Sequence, residues 1–235
     1  MEGSFLSVRD LTLHYGGSKI LNGIDFDADL GKVTCVTGTN GVGKTSLLKA
    51  LAGTHPRSGG TYELGGDSID RVKAFDLARK GVAYVPQGRE IFPFLTVQEN
   101  LETGFACLPR DSRRVKEEIF ELFPILAEFL NRRGGDLSGG QQQQLAIARA
   151  LVTEPKVLLL DEPTEGIQPN VIQQIGETIE VLKARGGIAI VLVEQYLSFA
   201  YDLGDAFVVM ERGLVKLSGE KSAVTLDDLV ASTSL

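Results

Sequence analysis

Gly38-Thr39-Asn40-Gly41-Val42-Gly43-Lys44-Thr45 carries the pattern G-x-x-x-x-G-K-[ST], a loop that cradles nucleotide phosphates. Its surroundings have the matching character. Val33 to Thr37 is a short β-branched run that predicts a buried strand, and Ser46 to Ala52 predicts a helix stopped at Gly53. The loop therefore opens a helix whose first N–H groups and positive dipole end face an anion. Its glycines let backbone approach phosphate more closely than a Cβ allows. On this reading Gly38 through Ser46 bind ATP or GTP. Lys44 places its charge on the β/γ oxygens, and the Thr45 hydroxyl ligates Mg²⁺.

The rest of the chain is consistent with a nucleotide-binding domain. Its 235 residues suffice for one large domain, or for one with a subdomain. The apolar runs are shorter than a bilayer span. Met1 to Asp10 holds an early acid and no cleavable apolar core, so no secretion leader is expected; too few residues follow a short helix expected at Leu226 to Val230 for an added regulatory domain. Cys35 and Cys107 alone predict a reducing compartment and no disulfide framework. A net charge of −7 argues against a nucleic-acid partner. His14 and His55 are the only histidines and form no Cys/His cluster, so the expected metal is the Mg²⁺ that accompanies the nucleotide.

Phe5 to His14 alternates apolar and polar residues and predicts a strand, followed by a turn at Tyr15-Gly16-Gly17. Ile24 to Leu30 sets acids on one face and apolar groups on the other, as in a half-exposed strand of an antiparallel pair. Tyr15 ends the first strand, where its ring could pack at the edge or stack on adenine. Strands are expected at Thr61 to Leu64 and Gly81 to Val85, with a helix at Asp76 to Lys80 between them. Gln87 then leaves a strand end, where an amide can bind Mg²⁺, orient a water or sense a γ-phosphate. From Val97 to Arg133 the pattern is helical, in three pieces: Gln98 to Phe105, Val115 to Phe123 and Ile125 to Leu130.

Leu137-Ser138-Gly139-Gly140-Gln141 opens a helix that runs to about Val152. Ser138 and Gln141 have capping-box spacing, yet two glycines in a first turn cost on the order of 1 kcal/mol each relative to alanine. A phosphate approaching bare N–H groups accounts for them, and with one phosphate loop already present that phosphate belongs to another subunit's nucleotide. Val157 to Leu160 predicts an apolar strand ending in Asp161-Glu162 at the ligand edge of an open α/β sheet. Neighbouring side chains on a strand point to opposite sides, so the two carboxylates have separate tasks. Asp161 suits the outer shell of Mg²⁺ near Thr45, and Glu162 a general base or water-positioner.

These motifs, in this order over essentially the whole chain, resemble the ATP-binding cassette (ABC) ATPases. The resemblance implies an α/β fold, with a RecA-like P-loop NTPase core formed by residues 1–86 and 154–235. An antiparallel β subdomain belongs to that core, and residues 87–153 form an inserted α-helical subdomain. It also implies a second ABC ATPase subunit, in a homodimer or heterodimer, with the Gly38–Thr45 loop of one facing Ser138-Gly139-Gly140 of the other. Gln87 to Phe94 is expected to dock on an integral-membrane permease at the cytoplasmic face of the inner membrane, and a periplasmic solute-binding protein takes part indirectly. For Ile91, Phe92 and Phe94, packing within the helical insert stays equally open. Finer wording, Tyr84 to Pro93, Arg132 to Gly140 and Pro163 to Asn170, resembles branched-chain amino acid and amide importers. The glutamine run Gln141 to Gln144 and Glu194-Gln195-Tyr196 favour the urea-type member, with branched-chain amino acids as the alternative cargo and a non-transport ABC ATPase as a remoter one. Two departures stand out: Gln195 occupies the place of a histidine that contacts the γ-phosphate, and Gln168 that of an aspartate near the dimer interface.

Overall fold

The computed structural model describes residues 4–70 and 73–233; residues 1–3 of the N-terminal stretch read above lie outside them. Strands β1 (Leu6–Tyr15) and β2 (Ser18–Ala28) form an antiparallel ribbon across Gly16-Gly17. Ile24, Phe26 and Ala28 face inward while Asp25 and Asp27 face out, as the alternation predicts. The strand stops at Ala28, however, and Leu30 is exposed. The chain turns there, and the Gly31 N–H donates to the Ile188 carbonyl instead of continuing the ribbon.

Strand β3 (Val33–Thr37), buried throughout, leads through the glycine loop into α1 (Lys44–Leu51). Strands β4 (Gly59–Leu64) and β5 (Asp67–Ser68) complete a four-stranded antiparallel sheet in the order β2-β1-β4-β5. Next come α2 (Ala74–Arg79) and β6 (Val82–Val85), then a helical stretch: α3 (Val97–Glu102), α4 (Glu117–Leu122), α5 (Pro124–Glu128) and α6 (Gly139–Leu151). The helix expected over Gln98 to Phe105 tightens into a 3₁₀ turn at Thr103–Cys107, where Gly104 packs so closely that a Cβ would lie 3.0 Å from the Arg149 carbonyl oxygen. Pro124, with no N–H to donate, starts α5 and separates it from α4.

The chain closes with β7 (Val157–Asp161), α7 (Pro169–Ala184), β8 (Ala189–Val193), α8 (Leu197–Leu203), the hairpin β9 (Ala206–Glu211) and β10 (Leu214–Glu220), and α9 (Leu226–Thr233). Helix α7 is absent from the sequence reading, although buried Ile175, Ile179 and Leu182 recur at helical spacing behind Pro169. The second sheet has the order β10-β9-β3-β8-β7-β6, with only β10 antiparallel. Helices cover both of its faces, and period two sends each strand into two cores. Leu158, Leu160, Ile190 and Leu192 pack with α6 and α7; Leu159, Val191 and Val193 pack with α1 and the antiparallel sheet. Each such side chain contributes about 1.5–3 kcal/mol when fully buried. Because β3, β6, β7 and β8 run parallel, their C-terminal ends meet at one edge, and there the site is built. Among the described residues no helix is long and apolar enough to cross a membrane.

Candidate functional site

The glycine loop is held under steric compulsion. Gly38 leaves β3 at φ +141°, and a methyl group on it would sit 2.4 Å from the Met210 carbonyl oxygen. Gly43, left-handed, is the N-cap of α1, so the helix opens on backbone N–H groups with no side-chain cap. Lys44 lies only 5% exposed beneath the loop and donates to the carbonyls of Gly38 (2.8 Å) and Thr39 (3.1 Å). Its Nζ is 3.8 Å from Glu162 Oε1. Burial pushes the ammonium's pKa down, while Glu162, Asp161 and Glu194 pull it up.

Asp161 and Glu162 turn to different partners, as their adjacency at a strand end predicts. Asp161 Oδ1 accepts from the Thr45 hydroxyl at 3.2 Å, and Oδ2 accepts from the Tyr84 hydroxyl at 3.0 Å. Burial raises the Asp161 pKa, and these two hydrogen bonds oppose the rise. Glu162 follows in a left-handed conformation, φ +48°, tethered by its N–H to the Val193 carbonyl. Its carboxylate is gripped by two amides: Gln195 Nε2 donates to Oε1 at 2.7 Å, and Gln87 Nε2 to Oε2 at 3.3 Å. Gln87 also donates to Glu165 at 2.9 Å.

A cavity of about 410 Å³ lies here, with Asp161 behind its wall in contact with Thr45 and not in its lining. Tyr15 and Ile20 form part of its wall, together with Asn40, Gly41, Gly43, Lys44, Thr45 and Ser46 from the loop and helix, and Gln87, Glu162, Glu165 and Gln195. Gly38, Thr39 and Val42 are not in the lining; they shape the loop from beneath, Thr39 through its carbonyl to Lys44 and Val42 by packing in the core. Tyr15 is 41% exposed, and its ring centroid lies 4.2 Å from that of His55. The Thr45 hydroxyl, the Asp161 carboxylate and the Gln87 amide supply hard oxygen donors, a set that fits Mg²⁺.

Ser138 to Gln141 lie elsewhere, and none of them lines this cavity. Ser138 and Gln141 complete a full capping box, as their spacing predicts, and Leu137 is buried behind it. Gly140 has a reason that the sequence reading did not contain. A Cβ on Gly140 would stand 2.8 Å from Val171 of α7, so close helix packing within the chain demands glycine before any phosphate is considered. The neighbouring glutamines also serve the fold. Gln142 donates to the Gly134 and Leu137 carbonyls and accepts from Arg89, and Gln144 donates to Gln174 at 2.7 Å.

The residues of the aromatic loop after Gln87 differ in burial. Ile91 packs against the core, Phe92 is 48% exposed beneath the Arg149 guanidinium, and Phe94 is 85% exposed. Three polar residues at the site escaped the sequence reading: Tyr84 on Asp161, Glu165 on Gln87, and Glu194, whose carboxylate accepts three backbone N–H bonds. An ionisable residue directly after an apolar strand was the available signal for Glu194.

The sequence model of the family described as ABC transporter matches residues 21–165. The chain is 37% identical over 231 residues to the high-affinity branched-chain amino acid transport ATP-binding protein BraG of Pseudomonas aeruginosa, covering 98% of this chain and 99% of that one. It is 36% identical to a probable branched-chain amino acid transport ATP-binding protein LivF of Archaeoglobus fulgidus, over 90% and 91% of the two chains. A solved structure of the ATP-binding subunit of an ABC transporter superposes with a TM-score of 0.84 at 26% identity, covering 98% of this chain and all of that one.

Proposed function

Because the chain belongs to the ABC transporter family, as one of its ATP-hydrolysing subunits, we propose that it powers the import of a branched-chain amino acid. Likeness to two such ATPases over nearly its full length carries this reading. The urea reading rested on the wording Gln141 to Gln144 and Glu194-Gln195-Tyr196, whereas the relatives reported above are branched-chain amino acid ATPases.

The hydrolysis chemistry follows from the cavity. Lys44 and the N–H groups opening α1 bind the phosphates of ATP, and Tyr15 stacks on the adenine beside Ile20. Thr45, Asp161 and Gln87 would hold Mg²⁺, which would supply charge neutralisation to the phosphates. Glu162 takes a proton from the attacking water, and the amides of Gln87 and Gln195 fix its two oxygens. Gln195 does this without titrating, which a histidine there could not. Ser138, Gly139 and Gly140 face the ATP of a second ATPase subunit. Assembly with that subunit and with a permease places the chain at the cytoplasmic face of the inner membrane, with a periplasmic binding protein delivering cargo from the other side.

Cargo is tested in proteoliposomes holding the full transporter. Leucine-loaded binding protein is expected to raise ATP turnover several-fold and to drive leucine uptake, whereas urea does neither. Stimulation by urea alone would restore the amide-importer reading.

Phe94 is the residue proposed to dock on the permease. Phe94→Ser removes a ring already 85% exposed, so unfolding stability should change by no more than about 0.5 kcal/mol. Co-purification with the permease should fall at least tenfold while ATP affinity stays the same, since an exposed aromatic anchor is where docking energy concentrates. Undiminished co-purification would remove Phe94 from the interface.

A further inference from the structure

Glu194 stands just past β8, 2% exposed, and among the described residues it makes no ion pair. Its charge is met by backbone instead. Oε1 accepts from the Thr164 N–H at 3.0 Å, and Oε2 accepts from the N–H groups of Gln195 at 3.1 Å and Tyr196 at 3.4 Å. The Glu194 N–H donates to the Val36 carbonyl on β3 at 3.2 Å. The side chain thus joins the loop after β7 to the loop after β8, while the residue's backbone N–H adds the end of β3. Thr164 lies two residues beyond Glu162 on the loop after β7, and Gln195 is the residue whose amide grips Glu162.

Burying a carboxylate with no cation in ion-pair contact costs several kcal/mol unless hydrogen bonds offset it, and an apolar residue would fill the same space without that cost. Burial raises the Glu194 pKa, and the Thr164, Tyr196 and Gln195 hydrogen bonds oppose the rise. What the carboxylate provides, and an apolar side chain cannot, is a simultaneous hold on two separate loops. We infer that Glu194 is a positioning residue for hydrolysis, a strut that locks the loop carrying Glu162 to the loop carrying Gln195 so that amide and carboxylate meet. This rests on the proposed role of Glu162 as base. It adds a group that touches neither nucleotide nor water and acts only through its neighbours.

The strut needs both oxygens. Glu194→Gln keeps the shape but offers one acceptor, so either Thr164 or the Gln195–Tyr196 pair is left facing an NH₂ group. Glu194→Asp keeps two acceptors on a shorter stem and should recover part of the loss. The experiment measures ATP turnover, affinity for a fluorescent ATP analogue and thermal unfolding of the full chain, for Glu194→Gln, Glu194→Asp, Gln195→Ala, and each Glu194 variant combined with Gln195→Ala. Glu194→Gln is expected to lower kcat at least tenfold with nucleotide affinity changed less than threefold. In the Gln195→Ala background the same change should cost less than twofold, because the group it positions is gone. Equal losses in both backgrounds, or a kcat loss that tracks falling stability and affinity, would overturn the strut. If Glu194→Gln does not fold, Glu194→Asp carries the same cycle. Glu162→Gln measured alongside separates the two readings: an active Glu162→Gln removes the base itself, whereas an inactive one with additive Glu194 effects removes only the strut.

Discussion

Glu162→Gln should bind ATP about as tightly as the parent chain and hydrolyse it about 10²–10⁴-fold more slowly. An amide cannot accept the proton of the attacking water. The contacts around it sharpen the expectation, because Glu162 receives an amide donor on each oxygen, Gln195 on Oε1 and Gln87 on Oε2. A glutamine here must turn its own NH₂ toward one of those donors, so one grip is lost along with the base. The change removes the Glu162 charge 3.8 Å from Lys44, but the rest of the binding apparatus keeps its own contacts. Thr45 and Asp161 hold each other independently, and Lys44 keeps its bonds to the loop carbonyls. Turnover by rapid phosphate release, read beside fluorescent-nucleotide affinity, checks it. Near-normal turnover would mean that another group accepts the proton.

The second large effect is on folding. Gly38→Ala should destabilise the chain by at least ~3 kcal/mol, about 6–12 °C in melting temperature for a chain of this size, and abolish ATP binding. Two costs add. A φ of +141° is strained for any residue with a Cβ, and the new methyl would meet the Met210 carbonyl oxygen at 2.4 Å. That carbonyl cannot retreat, since Met210 is paired with Val215 on one side and its neighbour Val209 with Thr37 on the other. Gly41→Ala is the control. Gly41 also has positive φ, but its Cβ would touch nothing within 4 Å, so only strain is added. Calorimetry of both variants decides the matter; equal melting temperatures would show that the contact with Met210 yields.

Much of the site was readable in the residues because its chemistry is local. A glycine loop between an apolar strand and a helix, a Ser–Gln cap, and two acids after an apolar run each depend on residues adjacent in sequence, where steric freedom, capping and period act. Tyr84, Glu165 and Glu194 were not readable, because their partners Asp161, Gln87 and Thr164 are brought to them by strand order. Gly140 shows how a motif can carry an incomplete reason. Its glycine matches phosphate recognition, but Val171 already excludes a side chain, and Val171 lies on the helix the sequence reading left out.

By itself the sequence determined the α/β class, the phosphate loop, the apolar strands and the presence of the helical stretch, all consequences of short-range pattern. Only the tertiary structure decided which strand ends share the site. β3 lies between β8 and β9 and is followed in sequence by neither, while β7 sets Asp161 level with Val193. That parallel register is chosen by the burial of both sheet faces at once. It puts Glu162 and Glu194 side by side as the first residues beyond their strands, an arrangement that depends on packing over the whole sheet and that no window of sequence contains.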